Sequence, residues 1–390
     1  MLSRDPDEPH RTASSLELFF DLVFVVAVSI ASAQLHHALA EGHIQNGIVT
    51  YLMVFFGIWW AWMNFSWFAT SFDTDDWLYR VVTIVQMSGV LVLAAGIRPA
   101  YESGDMRLLV FAYVVMRVAM IAQWLRAAAS SPAHRATALT YAVGIAIAQV
   151  LWMLFLLVPA GPMQVVVFVV LALIELTVPV VAERRHTTPW HPHHITERYS
   201  AFTLIVLGET VLASSVAVIS ALDIVDSVLP LIAIAALTLI AAASMWWIYF
   251  WPPHHRAIGG IAQSLRYGYV HYFVLAAAAA FSVGIELQID VLTGETEMTE
   301  RGASFVVAIA IAVFLLSIWW IAIRNHADRV VNTVVPLAVG VVLIDPLLPS
   351  SVFVTCTVLV CVVVMLVLRS PVERGDSRAA AGLTDAQSAE

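Results

Sequence analysis

SLELFFDLVFVVAVSIASAQLHH, residues 15–37, holds two ionisable side chains, Glu17 and Asp21, before the histidine pair that closes it. At ~1.5 Å per residue, this run crosses the ~30 Å hydrocarbon core of a bilayer as one helix. The polar, mixed-charge segment before it (MLSRDPDEPHRTAS) has no apolar core, and no small-residue cleavage site follows. Residues 15–37 are therefore expected to be a retained first span and not a signal peptide.

The same pattern recurs along the chain. Apolar runs between polar punctuation predict twelve spans, at 15–37, 47–70, 78–97, 107–127, 136–158, 163–182, 197–220, 229–251, 266–289, 302–324, 329–345 and 350–369. Apolar residues make up 61% of 390 positions and charged residues 12%, about half the charge of a soluble domain. Mean hydropathy is +0.86. The expected class is an all-α polytopic membrane protein whose surroundings are the lipid bilayer. The net charge is −9 and no basic patch occurs, so no nucleic-acid partner is expected. Cys356 and Cys361 lie in one apolar run and read as small apolar side chains. The tail 370–390, rich in Ala, Ser, Asp and Glu, is expected to be disordered and cytoplasmic.

Arginine placement sets the orientation. All 19 basic residues are Arg. With the N-terminus inside, fifteen fall on the cytoplasmic side and three (Arg98, Arg107, Arg301) outside, with Arg117 inside a span. The outer loops carry acids instead, among them Glu41, Asp223 and Glu295. This positive-inside bias predicts both termini in the cytoplasm of a bacterial inner-membrane protein.

Landmarks repeat at a near-constant offset. Trp59-Trp60 and Trp246-Trp247 lie 187 residues apart, Arg80 and Arg266 186, and Asp21 and Glu209 188. VLVLAAGI, ending at Ile97, matches VLAAAAAFSVGI, ending at Ile285. The expected organisation is a cytoplasmic segment 1–14, a six-helix repeat 15–182, a His/Arg-rich linker 183–196, a second six-helix repeat 197–369 and the tail. An even number of spans per unit makes the repeats parallel, related by an axis along the membrane normal.

Ionisable groups inside spans cost about 2.5–3.5 kcal/mol each and mark ion and proton pathways. Asp21, Arg117, Glu175, Glu209, His271 and Glu286 are such groups, with Glu17 one turn below Asp21. Asp21 and Glu209, at repeat-related positions, are expected to face each other across the axis as a cation or proton pathway, Asp21 with no cation close by. A structural alternative pairs them with Arg117 or His271. Glu175, four residues before Pro179, marks either a polar pocket or a kink. Glu17, Arg80, Arg198, Arg266 and Asp290 read as near-interface residues that snorkel or cap, and Asp76 with Arg80 as an i, i+4 pair. A cytoplasmic histidine group (His191, His193, His194, His254, His255) reads as a solvated or pH-responsive loop; HPHH lacks ligand spacing, so no metal site is assigned. The Trp-rich stretches 58–68 and 245–251 fit an interfacial belt. No phosphate-cradling loop, HExxH, GxSxG or CxxC occurs, so no catalytic residue and no cofactor is assigned.

Residues 15–37 closely resemble the opening span of the bacterial low temperature requirement A (LtrA) family. HHITERYSAFTLIVLGETVLA, residues 193–213, is similar to that family's second hallmark, ER-x-x-x-F-x-x-I-x-x-L-GE. The resemblance implies a multi-spanning bacterial membrane protein of the kind named for growth in the cold. The pattern Leu16-Glu17-x-Phe19-x-Asp21-x-Val23-Phe24-x-x-Ala27 also resembles the first span of the endosomal/lysosomal potassium–proton channels. Phe20 stands where that family has Ser, and Gly208-Glu209 where its second unit has Ser-Asp. Together the buried acids and these likenesses predict a cation (H+ or K+) channel or proton-coupled transporter. The alternatives are a membrane-embedded enzyme acting on lipid and a non-transporting factor in cold adaptation.

Overall fold

Ser14 starts the first helix. Its hydroxyl accepts from the Glu17 amide at 3.3 Å, and the Glu17 carboxylate accepts from the Ser14 amide at 2.8 Å, a reciprocal cap. Asp76, Thr299 and Asp328 cap three later helices, and Pro162 and Pro192 open two more at the first helical position.

In the computed structural model, residues 2–3, 12–73, 75–184, 186–348 and 352–369 are described. Most of the expected N-terminal segment and all of the tail 370–390 lie outside the described residues. The helices are α1 (Ser15–Ala40), α2 (Ile44–Ser71), α3 (Trp77–Ser103), α4 (Arg107–Ser130), α5 (Arg135–Phe155), α6 (Pro162–Glu183), α7 (Pro192–Ala221), α8 (Leu229–Phe250), α9 (Ile261–Thr293), α10 (Glu300–Ile318), α11 (Arg329–Ile344) and α12 (Phe353–Leu368). A π-helical turn, Trp319–Ile323, extends α10, and Leu2–Ser3 pairs antiparallel with Phe72–Asp73. Among the described residues eleven helices are long and apolar enough to cross a membrane, and α12, with 16 residues, is shorter. Leu91, Phe111, Ile147, Leu173 and Leu239 face outward, 55–60% exposed, an apolar surface that only lipid covers without penalty. The protein is an all-α polytopic membrane protein.

The two halves have the same order of neighbours. In the first, α1 packs on α2 and α3, α3 on α4, α4 on α5 and α5 on α6; in the second, α7 packs on α8 and α9, α9 on α10, α10 on α11 and α11 on α12. The tightest approaches also correspond. A Cβ on Gly96 (α3) would lie 2.9 Å from the Leu109 amide nitrogen of α4, and one on Gly284 (α9) 2.7 Å from the Val307 amide nitrogen of α10. These glycines are 188 residues apart. The seam between the halves is lopsided: α1 packs on both α7 and α9, whereas α3 makes no comparable contact with α7.

Three expectations change. Stretch 58–68 is not interfacial: Trp59, Trp60, Trp62, Phe65 and Phe68 are all buried, because two of these indoles serve carboxylates inside the bundle. Trp246 and Trp247 do face outward. Asp76 does not pair with Arg80: it caps α3 and takes Arg126, leaving Arg80 to Asp75 at 2.8 Å. Finally, α7 begins at Pro192, not at 197, because His191 caps it by accepting the His194 amide at 3.2 Å. His193 and His194 are therefore helical.

Candidate functional site

Three helices each contribute residues at i, i+4 to a buried two-rung ladder. Glu17 and Asp21 lie on one face of α1, His194 and Arg198 on one face of α7, and Trp62, Ser66 and Thr70 on one face of α2. In the lower rung, His194 Nε2 lies 3.3 Å from Glu17 Oε1, and His194 Nδ1 3.0 Å from Thr70 Oγ1. In the upper rung, Arg198 Nη2 donates to Asp21 Oδ1 at 2.7 Å and to Ser66 Oγ at 3.3 Å. Trp62 Nε1 donates to the same Asp21 oxygen at 2.7 Å. Asp21, His194 and Arg198 are 0% exposed. Aromatic pairs surround the rungs: Trp62 stacks on Phe202 at 4.5 Å and Phe20 on Phe65 at 4.0 Å.

The upper rung is incompletely satisfied. Asp21 Oδ2 and Arg198 Nε and Nη1 are buried and have no hydrogen-bond partner. A buried ion pair repays its desolvation only when its remaining lone pairs and protons are also met. This pair therefore holds unspent polar capacity in a buried interior, where both an added proton and an added cation compete directly with its members.

The other predicted residues fall elsewhere. Glu175 of α6 anchors the first half: it accepts from Arg117 Nη2 at 3.0 Å, Gln149 Nε2 at 3.2 Å, Trp152 Nε1 at 3.1 Å and Trp60 Nε1. Its carboxylate is thus fully engaged inside the first half. His271 accepts at Nε2 from the Tyr249 hydroxyl (3.0 Å) and donates from Nδ1 to the Tyr267 carbonyl (2.7 Å), which settles its tautomer. Glu286 and Asp290 of α9 meet His36 of α1 at 3.8 and 2.7 Å toward the C-terminal ends of those helices. Half-buried Glu209 lies close enough to Glu286 for their charges to repel, and has no hydrogen-bond partner among the described residues.

Asp21 and Glu209 do not face each other. Asp21 is level with Arg198, which precedes Glu209 by eleven residues, or ~16 Å along a helix. Asp21 is not without a cation either, and its cation is neither Arg117 nor His271. Arg198, read as a snorkelling residue, is fully buried, because Asp21 and Ser66 supply inside the bundle what water would supply outside. The available signal was the matching spacing: acids at 17 and 21, bases at 194 and 198. The histidine loop divides as well. His191 and His194 are buried around the cap of α7, and His254 is buried with Nε2 donating to the Tyr249 carbonyl at 2.6 Å and Nδ1 accepting from Tyr267 at 2.9 Å. His193 stacks on His255 at 4.2 Å nearer the surface.

Comparison with known proteins adds two findings. The family model described as bacterial low temperature requirement A protein (LtrA) matches residues 12–368. A curated protein of Rhizobium meliloti (strain 1021), described as uncharacterized, is 28% identical over 254 residues. That match takes in 63% of this chain and spans 60% of the relative's length. Both halves of the ladder, Glu17 with Asp21 and His194 with Arg198, fall within the family match.

Proposed function

The chain belongs to the bacterial low temperature requirement A family, and within it we propose that it moves protons across the inner membrane, alone or coupled to a monovalent cation such as potassium. The observation that carries this reading is the Asp21–Arg198 pair, which ties α1 to α7 at 2.7 Å within the bundle. Asp21 is the switch. As a carboxylate it holds Arg198; on gaining a proton it no longer neutralises the guanidinium, and the tie between the halves loosens. Arg198 in turn competes with any cation that reaches Asp21. The Glu17–His194 rung lies one turn closer to the Arg-rich face and supplies a proton donor and acceptor on the way in. Glu209, Glu286, Asp290 and His36 are the acids and base at the outer end. An exchange between these two levels fits the twelve-helix layout better than a continuous pore, because aromatic stacking surrounds the ladder.

Liposomes containing the purified protein, loaded with a pH-sensitive dye and given a potassium or proton gradient, test this directly. Flux above protein-free vesicles, dependent on pH and lost in Asp21→Asn, is the expected result. Wild-type protein that moves neither ion overturns the reading.

A further inference from the structure

The Arg-rich face of the second half gathers two arginines and three histidines that form no ion pair among the described residues. His193 at the start of α7 stacks on His255 of the α8–α9 connection, with ring centres 4.2 Å apart. Arg256 follows and is exposed, and His326 approaches from the α10–α11 connection. The turn His254–Ala257 packs against the π-helical turn Trp319–Ile323, and just beyond the latter Arg324 lies over the Trp320 ring at 3.7 Å. Neither Arg256 nor Arg324 forms an ion pair among the described residues, and Arg324 Nε is buried without a hydrogen-bond partner. Of the nearby acids, Glu197, one turn beyond His193, accepts the Ala13 amide at 3.2 Å and makes no ion pair with the cluster, and Asp328 takes Arg369 while capping α11.

We infer that His193, His255, Arg256, His326 and the Trp320-backed Arg324 form a binding site for the headgroup of an anionic phospholipid. Two guanidinium groups without ion-pair partners attract a net-negative phosphodiester, and the neighbouring imidazoles can hydrogen-bond its oxygens. Burial first, and then the nearby His193, Arg256 and His326, push the His255 imidazole below its ordinary range. The surroundings favour lipid over a soluble phosphate. Trp320 is 44% exposed, and Trp246 and Trp247, at the end of α8 that leads into the same connection, are 42% and 44% exposed. Indoles of this kind sit at headgroup level, with their apolar bodies toward the acyl chains. An Arg laid flat on such a ring is oriented before the headgroup arrives.

The test follows thermal unfolding of the full-length protein in detergent while dioleoylphosphatidylglycerol, dioleoylphosphatidylcholine or inorganic phosphate is added. Phosphatidylglycerol is expected to raise the unfolding midpoint saturably, with little effect from the other two. Half-saturation should need about twentyfold more phosphatidylglycerol in Arg256→Gln/Arg324→Gln and about fivefold more in the exposed single variant Arg256→Gln. The single variant alters no buried group and keeps the test open if the double variant aggregates. Arg98→Gln, on the opposite face, should match wild type. Equal stabilisation by phosphatidylcholine, or wild-type half-saturation in both glutamine variants, overturns the site. Equal stabilisation by inorganic phosphate overturns its assignment to lipid.

Discussion

Arg198 and Asp21 are worth more together than their separate stabilities suggest. Truncating one member of a buried pair leaves the other charged and unmet, at a cost of about 3–5 kcal/mol, whereas removing both is often close to neutral. Arg198→Gln should therefore lower the thermal midpoint sharply, and Asp21→Asn/Arg198→Gln should recover much of the loss. A double variant no more stable than Arg198→Gln alone would mean that the pair is not coupled. His254 gives a second residue-scale expectation. Burial lowers its imidazole to about 4, below the ordinary ~6.5 of an unfolded chain. Protons thus bind the unfolded state more readily. The His254 contribution is complete above pH ~6.5, shrinks as pH falls toward ~4 and is flat below, a total on the order of 3 kcal/mol. Stability measured against pH should show this fall in wild type and lack it in His254→Gln; parallel curves would refute it. The sequence marked Asp21, Glu17 and Glu175 as costly and worth explaining, because a charge in an apolar run is visible without a structure. Their partners were not visible. Arg198 lies 177 residues from Asp21, and local spacing does not say which of several cations crosses to it. The indoles of Trp60 and Trp62 read as interfacial because an N–H donor is equally useful at a headgroup and at a buried carboxylate.

At the scale of elements, the glycines of α3 and α9 decide how close the next helix comes. A methyl group at Gly284 would lie 2.7 Å from the Val307 nitrogen, a contact that backbone must move to relieve, at ~1–3 kcal/mol. Gly284→Ala and Gly96→Ala should both destabilise by about that amount in thermal unfolding. Gly208→Ala, with nothing within 4 Å of the added carbon, should be neutral or stabilising by up to ~1 kcal/mol. If all three variants behave alike, close backbone approach is not what these glycines provide. Helix existence was legible throughout, since long apolar runs allow little else in a bilayer. Helix ends were less so. The start of α7 moved to Pro192 because capping by His191 depends on a ring orientation that composition does not encode. The π-helical turn after Ile318 was also unread; there Asn332 takes the Trp319 N–H at 3.0 Å and donates to the Arg324 carbonyl at 2.9 Å.

At the scale of the whole molecule, arginine asymmetry set the expected orientation, and the helix order gives it a direct test. With Cys356 and Cys361 replaced, single cysteines in the loops 184–191 and 251–260 should react only from the cytoplasm, and one at 294–299 only from outside. Reaction of the 184–191 loop from outside would invert the topology and the direction of any proton path. The expected repeat rests on spacing, and the packing within each half runs in the same order. Gly96 and Gly284 keep the offset read from Trp, Arg and acid landmarks, yet the packing of α1 on α9 has no comparable counterpart between α7 and α3. Sequence similarity between halves reports common packing within each half; it does not report how one half leans on the other. The Asp21–Arg198 pair ties the halves together where α1 meets α7, so the pair's role is the central question. The most direct measurement is proton flux through liposomes containing Asp21→Asn/Arg198→Gln, checked for folding by its thermal midpoint. The expected result is a folded protein with no flux above empty vesicles. Wild-type flux in the folded double variant would contradict the account, reducing the pair to a structural tie.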